Sequence, residues 1–220
     1  MTVRKIIQPD NAILRKKAIK VTSFDQKFQN LVDDMIETML DAPGVGLAGP
    51  QIAESRRIIV VHLPEDEEEF GNDAGVLYTV ANPKIIKRSK KLVTGIEACL
   101  SIPGYFGDVE RHDMVVITGQ DRHGKDIRIK AKDWLARVFQ HEIDHLDGQL
   151  FIDIASDIWT AEEMRQRQAE AEGAEAESQP EEPETAPQAP PPWSAEVVTR
   201  RKELEAEREE LRKSGELADE

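Results

Sequence analysis

Asp133-Trp134-Leu135-Ala136-Arg137-Val138-Phe139-Gln140-His141-Glu142-Ile143-Asp144-His145-Leu146 spaces its apolar residues as an amphipathic helix does, and Gly148 just beyond it is a stop signal. Val138, Phe139, Ile143 and Leu146 give that helix a side for a core to bury. Inside it, His141-Glu142-Ile143-Asp144-His145 has the form H-E-x-x-H. Residues four apart on a helix project from one face, one turn above each other. Both imidazoles can therefore reach a single metal ion, while Glu142 points beside it toward a bound water. An exposed polar turn of helix is the plain alternative for five such residues, and the apolar flanks weigh against it.

Working outward, residues from Asp25 to Leu40 place Phe28, Leu31, Val32, Met35, Ile36 and Met39 at helical spacing behind a candidate Ser23 cap, and Pro43-Gly44 ends the pattern. Arg57 to Leu63, Gly75 to Asn82, Lys84 to Thr94 and Asp113 to Gln120 are short, rich in Val and Ile, and bounded by Pro, Gly and Asn, as strands are. Ile127 to Lys130 pairs with the last of these across a Gly-containing hairpin turn. A further helix is predicted from near Ser156 through Arg165. Helix, several strands, then helix is an α+β order. Residues 173–192 repeat Pro, Glu, Ala and Gln and read as a disordered linker, and Val197 to Leu217 reads as a charged, marginal helix.

Charge is distributed unevenly along the chain. Residues 161–220 hold 18 acidic and 8 basic side chains, which accounts for −10 of the formal −14 and leaves −4 for residues 1–160. A nearly balanced body argues against a dedicated nucleic-acid surface. Arg15-Lys16-Lys17 and Lys87-Arg88-Ser89-Lys90-Lys91 read as solvated local charge. With one cysteine, Cys99, the chain can form no internal disulfide. It has no apolar run of membrane-spanning length and no signal-peptide core, so a soluble, cytoplasmic protein without a membrane partner is expected.

A catalytic metal site needs a third protein ligand and an open position. His62, His112 and His123 lie at predicted turns and strand ends and read as surface histidines. Cys99 stands out as the only thiol, in the apolar segment Ile96-Glu97-Ala98-Cys99-Leu100-Ser101-Ile102-Pro103, although a free cysteine is more commonly a small buried hydrophobe. Three segments together resemble the signature motifs of the peptide deformylase family: Gly44-Val45-Gly46-Leu47-Ala48-Gly49-Pro50-Gln51, Glu97-Ala98-Cys99-Leu100-Ser101 and Gln140-His141-Glu142-Ile143-Asp144-His145-Leu146. They occur in that family's order and spacing, over about Val3 to Ile154. Gly49 stands where the family usually has Ala, and Ala98 where it usually has Gly, so the loop that positions Cys99 is in question.

The resemblance implies antiparallel β-sheets packed around a central HExxH-bearing helix with an N-terminal helix, to which composition adds a partly disordered, partly helical C-terminal tail. The resemblance implies a deformylase catalytic domain over 1–160, while composition reads as an acidic linker over 161–192 and a charged helix over 193–220. It further implies metal ligands Cys99, His141 and His145, and Glu142 as the base that activates a metal-bound water. Gln51 and the Leu100 backbone N–H would stabilise the oxyanion. Val45 and Gly46 would hold the substrate main chain, and Val138 and Trp134 would wall a methionine pocket. The expected cofactor is one divalent ion, Fe2+ first, with Zn2+, Ni2+ or Co2+ able to substitute. The expected substrates are N-formyl-methionyl nascent peptides, with a transient ribosome encounter and no specific nucleic acid. Asp144 and Gln140 are candidate supports of the ligands. A general HExxH metallopeptidase and a deformylase-like interaction protein, with the tail as its working part, are the alternatives.

Overall fold

The first helix begins one residue past its cap. In a computed structural model of the chain, which describes residues 2–172 and, beyond them, Thr199, Lys202, Glu203 and Ala206, α1 spans Gln26–Asp41. Its cap is Asp25 rather than Ser23: the Asp25 carboxylate accepts the Phe28 N–H at 3.0 Å, satisfying one of the orphan donors of the first turn. Phe28, Leu31, Val32, Met35 and Met39 form the buried stripe that the sequence spacing predicts.

After α1 come β1 (Gly46–Ala48), β2 (Ile58–His62), the one-turn α2 (Glu67–Phe70) and β3 (Leu77–Arg88). Then follow β4 (Leu92–Cys99), β5 (Ile102–His112), β6 (Met114–Gln120), β7 (Asp126–Lys132), α3 (Asp133–Asp147), β8 (Asp157–Thr160) and α4 (Ala161–Glu172). The strands make two antiparallel sheets, one in the order β1-β2-β3-β6-β7 and one in the order β4-β5-β8. The α+β architecture expected from the element order is present, with the HExxH helix α3 set against β1, β2, β6 and β7 of one sheet and β5 of the other.

The strands differ from the sequence expectation at β1, which lies where none is expected, and at β3, β5 and β8. Gly75 to Asn82 and Lys84 to Thr94 were expected as separate strands, but β3 runs unbroken through Pro83 and the turn falls at 89–91. The strand survives proline because Asn82 adopts a left-handed φ of 52°, and a register shift between Ala81 and Lys84 bulges the strand around it. The Asn82 side chain holds the bulge by accepting the Val21 N–H at 2.8 Å and donating to the Val21 carbonyl at 2.9 Å. β5 has no counterpart in the sequence reading, since Pro103, Gly104 and Gly107 disguise it, yet it pairs with β4 on one side and β8 on the other. The helix expected from Ser156 begins only at Ala161: Asp157–Thr160 is instead strand β8, with Ile158 and Trp159 buried. Thr160 and Glu163 then cap α4 reciprocally, Glu163 accepting the Thr160 N–H and Thr160 Oγ1 accepting the Glu163 N–H. The expected linker over 173–192 lies outside the described residues, as does all of the expected helix from Val197 to Leu217 except the four residues named above.

The core divides around α3. On its inner flank Leu135, Val138, Phe139, Ile143 and Leu146 pack with Ile59, Val61, Val80, Val115 and Ile117. A second cluster of Cys99, Ile102, Val109, Phe151, Ile152 and Ile158 joins the three-stranded sheet to the turn after α3. Gly148 closes α3 with φ +80°, and a Cβ there would lie 2.8 Å from the Arg15 backbone. No helix among the described residues is long and apolar enough to cross a membrane.

Phe139 is fully buried and meets Tyr78 edge-to-face, with ring centroids 5.5 Å apart. Phe139→Ala is expected to cost about 3–5 kcal/mol through lost transfer energy plus a cavity. Urea unfolding checks this as a lower midpoint at unchanged slope.

Candidate metal centre

Cys99, at the end of β4, and His141 and His145, one turn apart on α3, each offer a ligand atom, and these atoms all lie within 4.8 Å of one another. The Cys99 Sγ stands 3.2 Å from His145 Nε2. Metal–sulfur bonds of about 2.3 Å and metal–nitrogen bonds of about 2.0 Å let one ion serve groups so spaced, and a thiolate with two imidazoles is a donor set that zinc and iron both accept. Among the described residues no other group of histidine, cysteine and carboxylates converges in this way. His62, His112 and His123 stay outside it, and the His112 ring bonds the Ser89 carbonyl at 2.9 Å.

His141 is oriented by Glu97. Its Nδ1 donates to Glu97 Oε2 at 2.9 Å, which turns Nε2 toward the cluster. The same carboxylate accepts Arg111 Nε at 2.9 Å and Nη2 at 3.0 Å, and Arg137 Nη1 at 2.9 Å. Burial alone would raise the Glu97 pKa, but the bonds from His141 and Arg111 outweigh it and hold the carboxyl well below its ordinary range. Burial likewise opposes charge on His141, yet the bonds to Cys99 and Glu97 lift its pKa well above the usual value. On His145 burial and the neighbouring His141 charge act together and lower it strongly. The cluster thus favours one positive charge beside Glu97, and the donors present fit a bound cation.

Glu97, two residues before Cys99 in the second motif, is a site residue that the resemblance alone does not single out. Its signal was available: residues two apart on a strand share a face, so an acid two before Cys99 enters the interior with it and must find donors. Asp144 and Gln140, the supports expected from sequence, reach other groups. Asp144 pairs with Arg111, one step removed from His141. Gln140 bonds the His112 N–H and C=O, tying α3 to β5.

Glu142 faces the first motif. A Cβ on Gly46 would lie 2.4 Å from Glu142 Oε1, so only glycine lets that carboxylate rest against β1. Burial pushes the Glu142 pKa up to about 7, and its Oε2 is a buried acceptor with no hydrogen-bond partner among the described residues. A carboxyl so tuned can take and return a proton near neutrality. Gln51, almost fully buried in the 3-10 turn Gly49–Ile52, accepts the Ala48 N–H on Oε1 at 2.8 Å, which turns its amide toward Cys99 Sγ at 3.5 Å. Leu100 follows Cys99 directly, and its side chain packs where a Cβ on Gly44 would come within 2.7 Å.

Val45 leads into β1, its carbonyl accepting the His62 N–H at 2.9 Å. Val138 is buried in the α3 core. Trp134, 39% exposed, lines a cavity of about 280 Å³ together with Val93, Gly95, Arg111 and Arg137, and Val138 is not part of that lining. Of the two departures from the family pattern, Ala98 lies in β4 opposite Phe106 without a positive φ, so the glycine's freedom is not needed. Gly49 is needed here: a Cβ would approach the Arg56 and Glu54 carbonyl oxygens to 2.6 and 2.9 Å.

The polypeptide deformylase family model matches residues 3–160. A peptide deformylase of Symbiobacterium thermophilum is 45% identical over 181 residues, 82% of this chain and 80% of its own. The crystal structure of peptide deformylase from Thermotoga maritima superposes with a TM-score of 0.64 at 35% identity, covering 70% of this chain and 99% of that one. A Met-Ala-Ser-bound class I type b peptide deformylase from Acinetobacter baumannii gives 0.65 at 31%, covering 70% and 98%. By sequence and by structure, the chain belongs to the polypeptide deformylase family, enzymes that remove the formyl group from nascent peptides.

Proposed function

We propose that Cys99, His141 and His145 hold one divalent ion and that Glu142 is the general base and acid of formyl hydrolysis. The observation that carries this reading is the convergence of the three donors within 4.8 Å, together with a buried oxygen of the adjacent Glu142 that has no hydrogen-bond partner among the described residues. The ion, when bound, supplies Lewis-acid polarisation and lowers the pKa of water. Glu142 takes the proton of the water that attacks the formyl carbon, then delivers it to the departing amine nitrogen, releasing formate and the free N-terminus. The Gln51 amide and the Leu100 backbone N–H donate to the oxygen on which negative charge grows. Gln51 suits that role because its own oxygen is committed to Ala48 and its NH2 group faces Cys99.

Val45 and Gly46 would align the substrate main chain alongside β1. For the methionine side chain we assign Val138 and Trp134, supported by their places one and two turns before His141 on α3. The Met-Ala-Ser peptide bound by the Acinetobacter baumannii relative is the kind of product this assignment requires. Ferrous iron is the proposed ion in the cell, with zinc, nickel or cobalt able to occupy the same donors. Residues 1–160 are the proposed catalytic unit, 161–192 a linker that opens with α4, and 193–220 a charged helix. The enzyme would work in the cytoplasm and meet the ribosome only transiently.

Protein purified anaerobically with iron is expected to release formate from formyl-Met-Ala-Ser. In Glu142→Gln, metal content by elemental analysis should be retained while turnover falls by about 10² to 10⁴-fold. Comparable cleavage of unformylated peptides would favour the metallopeptidase alternative instead. Glu97→Gln removes the carboxylate that orients His141 and faces two buried arginines. Its metal affinity, followed by competition with a chelator, is expected to fall about 10- to 100-fold, and its unfolding free energy by about 3–5 kcal/mol.

A further inference from the structure

A groove of about 950 Å³, lined by residues of β3, β6 and β7 together with Lys17, Lys20 and Asp147 at the end of α3, is basic although the chain is acidic. Lys17, Lys20, Arg57, Lys84 and Arg128 line it against only two acids, Asp126 and Asp147. Asp147 is already engaged by Arg57 at 2.7 Å and by Lys17 at 3.9 Å. Lys20, Lys84 and Arg128 are exposed and make no ion pair among the described residues.

Sheet register explains why the charges gather. Thr118 is opposite both Lys84 and Arg128, and Lys130 and Lys132 follow on the same face of β7, opposite Val116 and Met114. Alternation sends Ile85, Ile117 and Ile129 inward to the α3 core and the cations outward. A row of like charges on one sheet face repels itself, so it gains from an anionic cover.

The complementary charge lies in the same chain. Between residues 168 and 199 there are eight glutamates and neither lysine nor arginine. Five of them, Glu175, Glu177, Glu181, Glu182 and Glu184, follow α4 within a short stretch of sequence. The dozen or so residues from the end of α4 to Glu184 reach up to about 40 Å when extended, comparable to the width of a domain of this size. A tether of this kind gives an attached segment an effective concentration near the millimolar range, at which several weak, solvent-exposed ion pairs add up to appreciable binding at low salt.

We propose that the glutamate-rich segment 175–184 docks in the basic groove of its own chain and keeps other polyanions out of it. The groove involves none of the residues assigned to metal or substrate, so the proposal stands apart from the catalytic reading.

The test is carbodiimide coupling of carboxylates to lysines in the full chain at low salt, mapped by mass spectrometry on a mixture of unlabelled and nitrogen-15-labelled protein. Links from Glu175–Glu184 to Lys17, Lys20 or Lys84 within single chains are expected. They should fall at least fivefold at about 0.5 M salt, where screening acts over a few ångströms. Lys84→Glu with Arg128→Glu should remove the links to Lys17 and Lys20 while leaving formate release unchanged. A full chain with those five glutamates changed to Gln should bind a single-stranded oligonucleotide at least fivefold more tightly than the parent. Absence of links, links only between chains, or links that persist in the charge-reversed protein would overturn the proposal. So would equal oligonucleotide affinity in parent and variant, which would make the groove an open polyanion surface.

Discussion

One buried carboxylate holds the site together. Glu97 is 4% exposed and receives N–H donors from two arginines and one histidine, so β4, β5 and α3 meet at a single charge. An isolated carboxylate at such depth would be protonated or would open the structure; with four donors it stays ionised. Because it is ionised, it fixes the orientation of the His141 ring and favours positive charge next to it. Arg137, on α3, also donates to backbone carbonyls of Val93, Gly95 and Val109, so the helix that carries His141 and His145 is bound to the strand that carries Cys99.

The second constraint is close approach of backbone. Gly46 admits the Glu142 carboxylate, Gly44 admits the Leu100 side chain, and Gly49 admits two carbonyl oxygens. The first motif therefore works by what it lacks: without side chains at these positions, β1 and the turn after it can lie against α3 and the end of β4 together. Gln51 completes the arrangement by spending its oxygen locally and presenting its amide to the cluster. Burial does the rest, raising the pKa of Glu142 to about 7, where a carboxyl can move a proton in either direction.

Charge is sorted by the same alternation that builds the core. The five-stranded sheet sends its β-branched residues inward and leaves a basic row outside, while the acidic surplus is carried in the C-terminal region. Net charge alone hides this, since a chain with a formal charge of −14 would be expected to present no cationic face.

The sequence by itself determined the local features: α1 and α3 from apolar spacing, the β6–β7 hairpin from its turn, and the donors Cys99, His141 and His145 from motif and resemblance. Those signals are legible because helix periodicity and turn chemistry act over a few residues. Tertiary structure decided what depends on a distant partner. β5 exists because two strands flank its glycines, β3 passes Pro83 because the Asn82 side chain reaches back to Val21, and Asp157–Thr160 is a strand because β5 offers it a ladder. Glu97 could be seen in the sequence as an acid on a strand, but its role follows from Arg111, Arg137 and His141, separated from it by 14, 40 and 44 positions. A buried charge is tolerable only where its donors converge, and convergence is a property of the folded chain rather than of any segment of it.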